Sequence, residues 1–217
     1  MRTVRYTSAA MIAVLLAIVG CKSAYYSAWS KLGYEKRDIL VSRVEKARDE
    51  QTAAKTEFKT TLDKFKELTN YQGGDLEAMY KKLDSAYESC KSRAAAVSKR
   101  IASVDSVSQD MFTEWQNELN DYHDPNLRAA SEQKLNDSKQ HYAQLLAVMR
   151  QSESKMQPVL DKFSDQVLFL KHNLNASAVS SLQGTAAGID SDVQRLIADM
   201  ESSINEANAF IDTLKKS

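Results

Sequence analysis

Small and apolar residues recur at alternating steps of three and four along most of the chain after residue 34. Between Leu76 and Tyr122 the pattern spans about six heptads, with stripe positions Leu83, Tyr87, Cys90, Ala94, Val97, Ile101, Val104, Ser108, Met111 and Trp115. Such a stripe lies along one side of a continuous helix and has to be buried against other helices. We therefore predict one long helix here, beginning after the N-cap residue Asp75.

Two neighbouring segments repeat this design. A helix is predicted from about Tyr34 to Asn70, with the stripe Leu40, Val44, Ala47, Gln51, Ala54, Phe58, Thr61, Phe65 and Leu68. Asp124 and Pro125 predict the cap and first residue of a third helix, whose stripe is Leu135, Tyr142, Met149, Met156, Phe163 and Leu170. Pro158 predicts a kink or a break in that helix, because proline lacks an N–H and clashes with the preceding turn.

A fourth stripe completes an all-α fold. It comprises Ile189, Val193, Leu196, Ile197, Met200, Ile204, Ala207, Ile211 and Leu214. Short connections make neighbouring helices antiparallel, so we predict a single domain over residues 34–217: an elongated antiparallel helical bundle, or coiled coil, of about four helices. At about 1.5 Å per residue, its second helix would be roughly 70 Å long.

The first 21 residues have the pattern of a lipoprotein signal. Arg2 and Arg5 precede an apolar run that ends at Gly20-Cys21, and this run is short for a bilayer span of about 20 residues. We expect residues 1–20 to be removed and Cys21 to be lipidated; the alternative is an uncleaved membrane helix. Because Lys22 is not the aspartate typical of inner-membrane retention, the periplasmic face of the outer membrane is the expected location.

Residues 21–33 are predicted to form a tether between the lipid and the bundle. Aromatic residues alternate with lysines there, which is typical of segments that lie along lipid headgroups. The candidate membrane-interface residues are Lys22, Tyr25, Tyr26, Trp29 and Lys31. An equally open alternative is that these rings pack on the end of the bundle.

The composition adds little chemistry to this picture. Without Arg2 and Arg5, the 29 basic residues fall to 27, against 29 acidic residues, so no basic field for nucleic acid exists. The histidines His123, His141 and His172 lack the spacing of a zinc motif, and helix capping explains Asp121 and Asp124. We predict no catalytic residues, no cofactor and no metal.

Cys90 is the one thiol left once Cys21 carries lipid. Its stripe position predicts a buried small hydrophobic residue, and an exposed redox-active thiol is the alternative.

Residues 172–189 contain no formal charge, although about a quarter of the chain is charged. A functional interpretation is a contact surface for a partner or a membrane, with His172, Asn173, Asn175, Ser180 and Ala187 as candidate contact residues. The interpretation that we favour is a helix-to-helix corner with close backbone packing at its glycines.

Three blocks of the sequence, residues 33–51, 158–160 and 165–176, carry a family resemblance. In them the chain resembles a family of uncharacterised proteobacterial lipoproteins known only as a domain of unknown function. It implies export and a helical domain, and it brings no activity and no catalytic residues.

These features favour a non-enzymatic, lipid-anchored periplasmic scaffold, spacer or adaptor of the bacterial envelope. Its expected partners are the membrane, through the lipid, and either an envelope protein or a second copy of the chain. The alternative is a membrane-active helical protein that remodels or perforates bilayers.

Overall fold

The computed structural model describes residues 36–216. Within this range the chain forms four long helices, α1 (Lys36–Thr69), α2 (Leu76–Glu118), α3 (Pro125–His172) and α4 (Ala176–Lys216). A short 3-10 helix, Leu119–Asp121, follows α2, and no strand occurs among the described residues. The predicted all-α fold of about four helices is confirmed.

The helices form an antiparallel bundle in which α1 and α3 each pack against both α2 and α4. The direction of α4 along α1 follows from two ion pairs, Lys66–Asp190 at 2.9 Å and Lys55–Glu201 at 3.2 Å. A rising residue number on one helix matches a falling number on the other, which is the mark of antiparallel neighbours. The connections 70–75 and 173–175 therefore lie at one end of the bundle, here called the double-loop end.

The opposite end contains the connection 119–124, the beginning of α1 and the end of α4. We call it the single-loop end. The two ends are far apart, since the 48 residues of α3 give a helix of about 72 Å at 1.5 Å per residue.

The heptad stripes form the core in the predicted register. All nine predicted stripe positions of α1 and all six of α3 are buried. In α2 the stripe is buried except for the half-buried Tyr87 and Trp115, and in α4 except for the half-buried Ile197 and Ile204. Aromatic contacts join opposite helices within this core, as between Phe65 and Phe163, whose ring centroids are 6.3 Å apart.

One polar cluster lies inside this apolar core and joins three helices. Gln51 of α1 donates from Nε2 to Ser152 Oγ of α3 at 3.0 Å, and Ser203 Oγ of α4 donates to Gln51 Oε1 at 2.9 Å. Ser152 in turn donates to the carbonyl of Met149. All three polar side chains are fully buried, so each hydrogen bond satisfies a group that has no access to water.

Two helix starts have the predicted caps. Asp75 accepts from the backbone N–H of Ala78 at 2.9 Å, after two glycines with positive φ. Asp124 accepts from the N–H of Asn126 at 2.7 Å, and Pro125 is the first residue of α3. Both carboxylates satisfy N–H groups that have no partner within the helix.

The predicted helix ends are nearly right. The predicted start at Tyr34 lies outside the described residues, and α1 ends at Thr69, one residue before the predicted Asn70. The second helix ends at Glu118 instead of Tyr122, because its last turn tightens into the 3-10 helix that buries Leu119. Such tightening gives the last carbonyls partners before the chain turns.

A kink or a break is predicted at Pro158, and the break does not occur. Helix α3 runs through Pro158 without interruption. Both Pro158 and Ser154, whose carbonyl loses its partner, are exposed, so water can bind that carbonyl. The buried neighbours Met156 and Val159 hold the helix against the core on either side.

Replacing Ile101 with aspartate tests the core register. Ile101 is 2% exposed in the middle of α2, so a carboxylate there would be buried without a partner. We expect the free energy of unfolding, measured by urea denaturation followed by circular dichroism, to fall by about 3–5 kcal/mol.

The control is Ala102→Asp, one residue further along and exposed. It should cost about 1 kcal/mol or less, mainly through helix propensity. Equal stability losses for the two variants would show that the stripe assignment of α2 is wrong.

Candidate functional site

Cys90 is a structural thiol. It is free and fully buried in the interface between α1 and α2. Burial raises the pKa of the Cys90 thiol to about 12, although a hydrogen bond with Thr61 partly opposes the shift. Because the thiolate is the reactive form, the prediction of a buried small residue is confirmed and the exposed redox thiol is wrong.

Asp121, His123 and Asp124 lie in the connection that reverses the chain between α2 and α3. Asp124 caps α3, as predicted, and His123 Nδ1 lies 3.0 Å from the backbone carbonyl of Asp121. Asp121 thus contributes a carbonyl rather than a capping carboxylate. Among residues 36–216, no group of three or more His, Cys, Asp or Glu side chains is arranged to hold a metal ion.

The other two histidines are exposed on α3. His141 and His172 are 31 residues apart, or about 46 Å along a helix, so they cannot act on one ligand. His172 is the last residue of α3, at the double-loop end.

Tyr142 is a core residue whose hydroxyl forms a hydrogen bond that the heptad pattern did not predict. It donates to Asp105 Oδ1 of α2 at 3.0 Å, and Arg150 binds the other oxygen of Asp105 at 2.5 Å. Burial raises the pKa of Tyr142 well above its ordinary value, and the Asp105 carboxylate contributes to the rise. A phenol held neutral in this way serves packing and hydrogen bonding instead of acid–base chemistry.

The charged part of α4 begins only at Asp190. From there its acidic residues bind lysines on both neighbouring helices: Asp190 and Glu201 pair with α1, while Asp192 and Asp199 pair with Lys162 and Lys155 of α3. We call these ion pairs the α4 ladder. The first fourteen residues of α4 contain no charged side chain, so they form none of its ion pairs.

Residues 172–189 are mostly helix, which corrects the corner interpretation. Only the connection 173–175 turns the chain, and Asn175 Oδ1 accepts from the N–H of Ala178 at 2.9 Å to begin α4. A Cβ placed on Gly184 or Gly188 would meet nothing within 4 Å. The expected close backbone packing at these glycines is therefore absent, because both face outward from α4.

The outward side of this helix start is a surface of small and polar residues. Ala178, Val179, Leu182 and Ile189 are buried, Leu174 and Ala186 pack partly buried against the core, and the other side chains from 172 to 189 are exposed. We call the exposed part of residues 172–189 the uncharged surface. All five candidate contact residues, His172, Asn173, Asn175, Ser180 and Ala187, are exposed on it.

Two exposed apolar side chains lie near the end of α3, at the double-loop end. Phe169 is 40% exposed and Leu168 is 54% exposed. Phe169 follows Lys155 and Lys162 at heptad intervals, so it occupies the α4-facing flank on which those lysines bind Asp199 and Asp192. An aromatic ring thus replaces a lysine where the α4 ladder stops.

Sequence reasoning missed Phe169 and Leu168 as surface residues. They stand between the buried residues Val167 and Leu170, so the four residues form a continuous apolar run in the sequence. The signal that could have found them is the heptad position itself, which puts both outside the stripe.

The residues predicted to bind or approach the membrane, Cys21, Lys22, Tyr25, Tyr26, Trp29 and Lys31, lie outside the described residues. Among the helices that are described, none combines the length and the apolar character needed to cross a bilayer.

A family model described as "Protein of unknown function (DUF2959)" matches residues 25–214. The chain belongs to this family. The predicted membership of a family of unknown function is thereby confirmed. Comparisons with the curated proteins and with the solved structures found no match.

Alkylation tests whether Cys90 is inert. We expect iodoacetamide at pH 8 to leave Cys90 unmodified in the folded protein, since with a pKa of about 12 only on the order of one thiol in ten thousand would be ionised. Mass spectrometry of the Cys90 peptide, with and without urea, measures the difference.

The matched control is Ser89→Cys, which places a thiol on the adjacent exposed position of α2. That thiol should react readily in the folded protein. If Cys90 reacted at a similar rate, the interface between α1 and α2 would have to open far more often than its packing implies.

Proposed function

We propose that this chain is a non-enzymatic spacer or adaptor of the bacterial envelope, anchored by a lipid on Cys21 to the periplasmic face of the outer membrane. The observation that carries this proposal is the separation of two features along the bundle. The segment that leads from Cys21 enters α1 at the single-loop end, and the uncharged surface lies at the double-loop end. About 60 to 70 Å of helix separates the two ends.

A spacer needs a stiff body, and the core supports that role. Four helices bury continuous heptad stripes, and ion pairs join α4 to both of its neighbours. Exposed ion pairs are individually worth little, about 0–1 kcal/mol. Their use here is to favour one alignment of the helices over its alternatives.

An adaptor needs a surface for its partner, and the uncharged surface is the best candidate on the described residues. It carries no charge that would have to be stripped of water, and an aromatic ring, Phe169, is exposed at the same end of the bundle. Contact surfaces are typically poor in charged residues and enriched in aromatic ones. We propose that an envelope protein or a second copy of this chain docks there.

A non-enzymatic role is favoured because the side chains that could take part in catalysis instead stabilise the fold. Cys90 is buried with a raised pKa, Tyr142 hydrogen-bonds within the core, and Asp124 caps a helix. The membrane-active alternative has less support, because the leucine, valine and isoleucine side chains of the 172–189 stretch are buried or partly buried in the bundle.

Replacing Cys21 with serine tests the anchor. Without the thiol no lipid can be attached, so we expect the variant to leave the membrane fraction or to retain its signal. Cell fractionation with a high-salt wash and mass spectrometry of the N-terminus measure this. The matched control, Ser23→Ala, should stay lipidated and membrane-bound, whereas a wild-type mature protein with an unmodified Cys21 would refute the anchor.

The double variant Ser180→Glu/Ala187→Glu tests the docking surface. Both positions are exposed on α4, so two glutamates should change the melting temperature little, while a charge desolvated in an interface is costly. We expect crosslinking to the partner in intact envelopes to fall at least about tenfold.

The control is Ser85→Glu/Ser92→Glu, which puts two glutamates at the same spacing on exposed positions of α2. It should leave both crosslinking and melting temperature unchanged. Crosslinking that persists in a stable Ser180→Glu/Ala187→Glu protein would contradict the docking proposal, and a large drop in melting temperature would show that these positions serve packing.

A further inference from the structure

The large apolar side chains exposed on residues 36–216 fall into two pairs at opposite ends of the bundle. Leu168 and Phe169 are near the double-loop end, as described above. Tyr122, 41% exposed, and Leu127, 58% exposed, are at the single-loop end. No core function accounts for the second pair, since Tyr122 lies in the connection and Leu127 in the first turn of α3.

Within the described residues, helix α4 ends at Lys216 and does not reach this pair. The ion pairs Lys155–Asp199 and Lys162–Asp192 fix the alignment of α3 with α4, and they put the last residue of α4 level with about residue 138 of α3. The first turns of α3 therefore extend beyond α4 by about 20 Å. Tyr122 and Leu127 are at the tip of this extension.

The lipid-anchored segment arrives at the same end. Lys36, the first residue of α1, forms an ion pair at 2.9 Å with Glu114, close to the end of α2. Fourteen residues, 22–35, separate Cys21 from Lys36. Fully extended, they span at most about 50 Å, and their aromatic and lysine composition suits the headgroup region.

We propose that the single-loop end sits on the bilayer surface, with Tyr122 and Leu127 entering the headgroup region. This proposal rests on the proposed lipid anchor. Tyrosine favours the membrane–water interface, and leucine gains by leaving water. Two side chains alone would bind weakly, and the tether compensates by holding them at a high local concentration near the lipid.

The acidic residues around the pair restrict how deep it enters. Glu118, Asp121 and Asp124 are exposed nearby, and burying their charges in hydrocarbon would be costly. The adjacent Arg128 is exposed as well, so the surface around the pair has mixed charge and the contact is shallow. In this orientation the bundle stands away from the membrane, and Leu168 lies about 60 Å along α3 from Leu127.

Nitroxide labels at two matched positions of α3 test the proposal. The labels replace Leu127 and Leu168, through Leu127→Cys and Leu168→Cys in separate full-length, acylated proteins reconstituted into phosphatidylcholine vesicles. The two leucines have similar exposures of 58% and 54%. Cys90 is buried and Cys21 would carry the lipid, so labelling is confined to the introduced thiol.

Electron paramagnetic resonance then compares collisions with oxygen, which concentrates in lipid, and with a water-soluble nickel chelate. We expect the oxygen-to-nickel collision ratio at position 127 to be several-fold higher than at position 168. Vesicle flotation in the same samples reports whether the protein is attached at all.

A second measurement removes the risk that the label itself draws position 127 into lipid. A fluorophore at position 168 serves as donor to acceptor lipids, in an otherwise native chain and in the variant Tyr122→Ser/Leu127→Ser. We expect little energy transfer in the native chain and more in the variant, because losing the contact allows the bundle to tilt.

The outcomes separate the two proposals. Protein that floats with the vesicles while both labels stay aqueous would refute the seating, that is, the contact of the single-loop end with the bilayer, and would leave the anchor intact. A label at position 168 that reaches lipid would overturn it as well, because the bundle would then lie flat. Protein that fails to float would refute the anchor, and the seating with it.

Discussion

The buried hydrogen bonds of Gln51 fix how three of the four helices, α1, α3 and α4, align. A heptad stripe alone tolerates slippage by seven residues, because one apolar layer packs much like the next. Such a slip would part Gln51 from Ser152 and Ser203 and leave polar groups unsatisfied in a dry core, at about 1–3 kcal/mol each. The ion pairs between α4 and its neighbours form only in the alignment that this cluster selects.

The sequence predicts the fold well because burial repeats along every helix. A stripe position such as Ile101 or Met149 can be identified from the apolar residues three and four positions away. Asp75 and Asp124 are equally local, since a cap is decided within one turn. Pro158 shows the limit of this logic: its effect depends on whether the freed carbonyl of Ser154 faces water, which is known only once the bundle is assembled.

The candidate surfaces were harder to predict, since they are defined by what packs nearby. The absence of charge in residues 172–189 suits a loop as well as a helix, so it does not by itself predict which side chains are exposed. Only the assembled bundle shows that Phe169 continues the line of Lys155 and Lys162. Likewise, Leu127 becomes notable only because α4 ends short of it.

The position of Cys90 also bears on how the chain folds in oxidising surroundings. An unpaired thiol there is at risk of forming disulfides with other proteins until it is covered. Its cover comes from Thr61 and the rest of α1, which is joined to α2 by only the short connection 70–75. Because α1 and α2 adjoin in sequence, pairing them closes only a short loop at low entropic cost, and it is this pairing that removes the thiol from solvent.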